Sequence, residues 1–298
     1  MKGAIERSGY LFEQRLAPVF KRAGYHPTPN YRFHNQSDSI SELDIYAISA
    51  APIPGKSREF VWISLLVECK NLRCPLVFFT HKEVIRMSLL LGEPHIAGLP
   101  QQAKVRKRLV GLVDFLKIED FHHYYSRTKI SSQFCAIVEK KKSANISKGS
   151  KAPPRTADDF VAGHQVGELD LYSDAILKLV QAVEAEKQEY ANRFTKDECA
   201  DERVDLWLYY PIFVTAGALY ECSVRDRNVT YKRVHRIGFL HRGHELAGTK
   251  SKDFRMDIVD PMGLRDLLKR IDREAEKIAD AVRRKYRALA KSRHALAK

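Results

Sequence analysis

The run Phe60–Asn71, FVWISLLVECKN, limits the possible folds more than any other stretch of the chain. It is apolar on both faces over Ile63–Val67, the pattern of a strand covered on both sides at the centre of a sheet. It then ends on Glu68-Cys69-Lys70, where two charged residues share one face of an otherwise oily strand. Just before it lies Glu42–Ser49, ELDIYAIS, a second strand pattern. The linker Ala-Ala-Pro-Ile-Pro-Gly-Lys-Ser between them has turn chemistry. The two segments form an antiparallel hairpin.

The remaining elements follow from periodicity. Residues 4–24 carry an apolar stripe, Ile5, Phe12, Leu16, Val19, Phe20 and Ala23, and Gly24 stops the helix. A short strand is expected within His26–Phe33, and helical character over residues 81–91 and 101–117. Ser132–Val138 reads as a strand and Leu169–Phe194 as a second amphipathic helix. Leu206–Cys222 is the most apolar stretch, but Pro211, Glu221 and the Thr-Ala-Gly break divide it into two buried strands turning at Ala216–Gly217. Tyr231–Leu240 and Phe254–Val259 read as further strands, and residues 263–298 as a long helix. Helices alternate with strands after an early hairpin, which predicts an α/β sandwich with a mixed sheet.

Composition narrows the partners. Hydrophobic residues make up 44% of the 298, enough for a large core, so disorder is excluded as the default state. Lys and Arg number 51 against 37 acidic residues, a net charge of +14 that favours a polyanion such as DNA or RNA. An anionic membrane surface satisfies the charge equally well. No run reaches the roughly 20 apolar residues of a spanning helix, and the first residues lack a signal-peptide pattern, so no membrane partner is expected. Five scattered cysteines suit reduced thiols in the cytoplasm. Cys69 and Cys74 have the spacing of half a zinc site, with no second pair to complete it. His235, His241 and His244 match no strong metal motif. His164 stands near the second helix.

The hairpin carries the chemistry. With its turn near Gly55–Lys56, residues whose numbers sum to about 112 face one another, which sets Asp44 against Glu68 on the face that Lys70 shares. Two carboxylates and an ammonium in one patch are what phosphodiester hydrolysis uses. The carboxylates hold hard Mg²⁺, and the lysine orients water or stabilises the developing charge. Glu13 joins them from the first helix. At about 100° per residue it sits roughly 20° from Phe20, at the margin of the buried stripe, and Gly9 leaves room beside it.

Gly9-Tyr-Leu-Phe-Glu13, Glu42-Leu-Asp44 and Glu68-Cys-Lys70 together resemble the PD-(D/E)XK nuclease superfamily, most closely its Mrr-like restriction endonuclease branch. The resemblance covers roughly residues 5–71. It implies a restriction-endonuclease-like αβββαβ core and DNA cleavage with Mg²⁺, for which Mn²⁺ can substitute. Asp44, Glu68 and Glu13 would be metal ligands, and Lys70 the catalytic lysine. It places a nuclease-like domain over residues 1–260. That domain comprises core motifs at 5–71, an insertion at about 72–165, and a later core helix and strands at about 169–240. Residues 261–298 form a basic C-terminal helix. A restriction or anti-phage role follows only by analogy. The chain departs from the pattern in having Leu43 where the family name has proline, in the length of the region after Lys70, and in lacking a clear glutamine-to-tyrosine motif near Gln101 and Gln102.

Two basic regions are candidates for backbone contact. One is the Ser-, Gly- and Pro-rich segment with Lys140, Lys141, Lys142, Lys148, Lys151 and Arg155. The other is the last helix, with eleven basic residues against four acidic ones from Lys269 to Lys298. DNA is the expected partner and RNA stays open, as does a homodimer or a partner defence protein. Two other readings fit the same residues: a catalytically silent nucleic-acid-binding module on this fold, and a nuclease subunit active only within a multi-protein defence complex.

Overall fold

The computed structural model describes residues 9–35, 39–72, 74–82, 95–105, 108–126, 129–139, 160–163, 165–166, 169–195, 204–225, 228–242, 245–246, 249–250 and 253–296. Helix α1, Gly9–Arg22, leads into β1, His26–His34, β2, Ile40–Pro52, and β3, Phe60–Lys70. Four strands follow: β4, Leu76–Lys82; β5, Ile96–Leu99; β6, Lys129–Glu139; and β7, Phe160–Gly163. A π-helical turn, Tyr172–Leu177, runs into α2, Lys178–Thr195. The chain then forms β8, Asp205–Thr215, β9, Leu219–Arg225, β10, Asn228–Val234, β11, Arg236–His241, and β12, Phe254–Val259. It closes with α3, Pro261–Leu296.

All twelve strands belong to one mixed sheet of order β1-β2-β3-β8-β12-β11-β6-β4-β9-β10, with β5 against β8 and β7 against β6. The segment after Lys70 therefore supplies strands to the central sheet. β3 pairs antiparallel with β2 and parallel with β8, and β8 runs parallel to β12. Three apolar strands side by side account for the two-faced hydrophobicity of β3.

Helices cover both faces. On one, Leu16 and Phe20 of α1 and Leu264, Leu268, Ile271, Ile278 and Val282 of α3 pack on Ile45, Val67, Ile212 and Val214. The basic helix α3 thus inserts an apolar stripe at helical spacing into the core. On the other face, Leu179 and Val183 of α2 pack with Leu66, Phe213, Met256 and Ile258. Buried polar contacts fix both layers. Tyr25 donates to Asp272 of α3 at 2.6 Å, and the hydroxyls of Tyr31 and Tyr46 both donate to Glu186 of α2. No described helix is long and apolar enough to cross a membrane.

Two local expectations are corrected. Residues 101–117 hold a hairpin, Gln102–Val105 with Arg108–Gly111, and only a five-residue helix, Leu112–Leu116. Their apolar residues face the α3 side through Ala103, Leu112, Val113 and Leu116, so tertiary burial sets the pattern that periodicity assigned to a helix. The run Tyr231–Leu240 splits at His235 into β10 and β11, which lie at different places in the sheet. Of the expected helix over residues 81–91, His81 and Lys82 finish β4 and the rest lies outside the described residues.

The corner at His235 is tightly built. Asp260 caps α3 by accepting from Met262 and Gly263, and its backbone N–H donates to the His235 carbonyl. A Cβ on Gly263 would stand 1.9 Å from that carbonyl oxygen, closer than any contact the backbone tolerates. Gly263→Ala is accordingly expected to destabilise the fold by about 3 kcal/mol, the upper end for overpacking, measured as a lower midpoint in urea denaturation; an unchanged midpoint contradicts this account of the corner.

Candidate active site at the end of the central hairpin

The β2–β3 ladder keeps the register expected from its turn. Pro52 pairs with Phe60 and Ile45 with Val67, and the ladder stops there, one step before Asp44 and Glu68. Across β2 on the other side, the β1 ladder skips Asn30, whose φ of 53° lies in the left-handed region. At this break the Asp44 side chain takes over from the main chain, and its Oδ2 accepts the Cys69 N–H at 2.6 Å. Asp44 is therefore fastened across the strand end beside Glu68.

Glu68 has no solvent exposure although it ends a strand. Its Oε1 accepts from Lys70 Nζ at 2.5 Å and from Lys178 Nζ at 3.0 Å. Lys178 Nζ also lies 2.8 Å from Oε2, an ion-pair contact without hydrogen-bond geometry, so Oε2 has charge opposite it but no directed donor. Lys178 is the first residue of α2, directly after the π-helical turn that brings the chain onto this face. A π turn shifts the phase of a helix, and here it separates the buried Ala175 and Ile176 from a lysine that points at the sheet.

The electrostatics reflect the crowding. Burial pushes the Glu68 carboxyl up to about 7; Asp44 adds to the rise, and Lys70 and Lys178 hold it down. Burial also raises Glu13, again helped by Asp44 and opposed by Lys70 and Lys178, which places Glu13 within the field of the same three groups that act on Glu68. Its Oε1 lies against Gly9, 3.4 Å from where a Cβ would stand. For Lys70, burial favours the neutral amine, but Glu68 and then Asp44 outweigh it and the pKa rises. Lys70 is thus an ammonium at neutral pH.

Asp44, Glu68, Lys70 and Glu13 converge as the sequence suggests, and Lys178 completes the set. Sequence reasoning missed Lys178 because it sits in an ordinary amphipathic helix with no motif around it. Its only local signal is Asp174, four residues earlier, whose charge also acts on Lys70. Other candidates sit elsewhere. Glu42 is exposed and pairs with Arg32 at 3.4 Å. His235 bonds Asp260 at 2.7 Å and His241 bonds Tyr172 at 2.7 Å. Cys69 is buried while Cys74 is part-exposed, and both are free thiols. His164, His244 and the basic segment with Lys140, Lys141, Lys142, Lys148, Lys151 and Arg155 lie outside the described residues.

A second charged cluster, unforeseen in the sequence, lies beneath α3. Ligating atoms of His122, His123 and Glu274, all buried, stand within 4.8 Å of one another. These atoms are largely spent on partners: His123 Nδ1 lies 2.8 Å from Glu274 and its Nε2 2.8 Å from Asp257, while Arg270 and Arg236 bond the same two carboxylates. Cations already seated on both carboxylates make this a hydrogen-bonded ion network, with oxygen and nitrogen ligands only secondarily available to a metal.

Comparison of the chain with protein-family models, with curated proteins and with solved structures found no match.

The raised Glu68 carboxyl has a measurable consequence. An acid ordinarily near 4.5 that sits near 7 in the fold takes up a proton on folding between those values. Stability is then fully present below pH 4.5 and falls as pH rises through 7. In Glu68→Gln this contribution disappears, so the difference in unfolding free energy between pH 5 and pH 8 should shift by about 2 kcal/mol in favour of pH 8. Urea denaturation at the two pH values reads it, and an unaltered difference refutes the burial argument.

Proposed function

We propose that the chain is a metal-dependent phosphodiesterase of the PD-(D/E)XK type that cleaves nucleic acid, DNA in the first instance. The observation that carries this reading is the convergence of Asp44, Glu68 and Glu13 with Lys70 at the end of the β2–β3 hairpin. The order α1-β1-β2-β3 followed by α2-β8, with β8 parallel to β3 and the two helices on opposite faces, agrees with the restriction-endonuclease-like αβββαβ core that the motifs imply.

The donor set suits Mg²⁺ or Mn²⁺: three carboxylates supply hard oxygen ligands, and Glu68 is a buried acid whose charged form a cation would favour. Asp44, Glu68 and Glu13 would hold the ion. Bound by these carboxylates, the ion would supply positive charge beside the scissile phosphate and would lower the pKa of a water it carried.

The chain's own groups divide the remaining work. Asp44 is oriented by the Cys69 N–H, which fixes its Oδ2. Lys70, held as an ammonium by Glu68 and Asp44, serves as a hydrogen-bond donor and fixed charge beside the phosphate, and not as a general base. Lys178 neutralises Glu68 when no other cation does, which keeps the carboxylate in the position its chemistry needs. The surplus of basic residues supplies attraction for the polyanion.

Nicking of supercoiled plasmid in Mg²⁺ tests the assignment. Asp44→Ala and Lys70→Ala should each lose on the order of 10²–10³-fold in rate while keeping the wild-type circular dichroism spectrum. Equal nicking by all three proteins would remove the site. A wild-type chain that binds DNA and cuts neither DNA nor RNA in Mg²⁺ or Mn²⁺ would favour the silent binding module, and cutting restored by a partner protein would favour the complex-dependent subunit.

A further inference from the structure

On the sheet face that α3 covers, a cavity of about 310 Å³ is bordered by β11, β12 and α3. It is separate from the Glu68 site. Glu68 shares a row with Phe213 and Ile258, whereas Asp257, which borders the cavity, is one residue out of that row and meets Glu274 of α3 through His123. The volume is at the lower end of the range for small-molecule sites.

Arg236 and Arg270 both line it. Each is anchored through one atom only: Arg236 Nε donates to Asp257 Oδ1 at 2.7 Å, and Arg270 Nε donates to Glu274 Oε1 at 2.8 Å. Among the described residues, neither makes another side-chain hydrogen bond, so both terminal amino groups of each guanidinium are left for a ligand. The carboxylates that anchor them are immobilised in turn. His123 bridges the two, at 2.8 Å from each, and Tyr124 adds a hydrogen bond of 3.0 Å to Asp257. Both planar forks are therefore oriented in advance, which reduces the entropy lost on binding.

The charge count points to an anion. Three arginines line the cavity, Arg236, Arg255 and Arg270, and two carboxylates, Asp257 and Glu274, stand against them. Lys129 at the rim is matched by Glu221. The surplus is positive, which disfavours a metal ion there and favours a ligand with several acceptor oxygens.

We propose that this cavity binds a small phosphate monoester, its oxygens received by the terminal nitrogens of Arg236 and Arg270. Two forks from two different elements match the three oxygens and the near-double charge of such a group. The phosphate can belong to a free mononucleotide or to the 5′ end of a nucleic-acid strand, and these sources are separable by titration.

Isothermal titration calorimetry on the full chain, without divalent metal and at fixed ionic strength, is the test. The probes are inorganic phosphate, 5′-AMP and a 5′-phosphorylated hexanucleotide, with the unphosphorylated hexanucleotide as control. Saturable one-to-one binding of inorganic phosphate or 5′-AMP is expected if the source is a free nucleotide; binding confined to the phosphorylated hexanucleotide identifies a strand end. Arg270→Lys keeps the charge but not the fork and should weaken the active probe by about tenfold, whereas Lys70→Ala, in the other site, should bind as wild type does. Arg270→Lys keeps a cation beside the buried Glu274 and should keep the wild-type melting temperature, whereas Arg270→Gln, like truncation of Arg236 beside Asp257, leaves a buried carboxylate with one cation fewer and should lower it. As a readout independent of the variants, phosphate should raise the wild-type melting temperature above that in chloride of equal ionic strength. No saturable binding of any phosphorylated probe, wild-type affinity in both Arg270 variants, or loss of binding in Lys70→Ala would each overturn the proposal.

Discussion

A carboxylate taken out of water has to be answered by cations, and Glu68 is taken out completely. That one requirement organises the front of the molecule. It explains why Lys70, two residues on, folds back onto its own strand and why α2 begins with a lysine facing the sheet. Desolvating such an ion costs several kcal/mol unless its partners are well placed, so the apolar contacts of Leu179 and Val183 beneath α2 and the polar contact of Lys178 fix the same docking of the helix. The result is a site held in register by its own repulsions and attractions before any substrate is present.

The same rule recurs under α3 with a different answer. Asp257 and Glu274 are pulled well below the usual carboxylate range despite burial, because Arg236, His123 and Arg270 overcompensate for it. At Glu68 burial outweighs its lysines and the carboxyl rises. Two clusters of buried carboxylates and cations thus shift their carboxyls in opposite directions, upward at Glu68 and downward at Asp257 and Glu274.

Much of the front site was legible in the sequence because it is local. The β2–β3 hairpin has a turn whose centre fixes the register, and strand periodicity fixes the face, so Asp44 falls beside Glu68 without knowledge of anything else in the chain. The division of Leu206–Cys222 at Ala216–Gly217 was legible for a similar reason, since turn residues are local signals. Lys178 was not, because its role depends on a contact with a residue that neither pattern nor proximity in sequence connects to it. The network of His123, Asp257 and Glu274 was hidden in the same way: three distant segments each contribute one group, and a lone acid in an apolar strand does not reveal its partner. The segment 101–117 misled because its apolar residues answer to the surface of α3 rather than to a helix of their own.

The pairing of β3 with β8 has a temporal side. Leu206 lies against Val61 and Thr215 against Lys70 in a parallel ladder whose halves are well over a hundred residues apart. At about 5–20 residues per second, β3 leaves the ribosome on the order of ten seconds before the strand that will cover its edge exists. During that interval the apolar strand β3 has β2 on one side and a bare row of backbone donors and acceptors on the other, a template for any other extended chain nearby. Closing so long a loop slows folding, and until the C-terminal half arrives the free edge of β3 is open to such pairing.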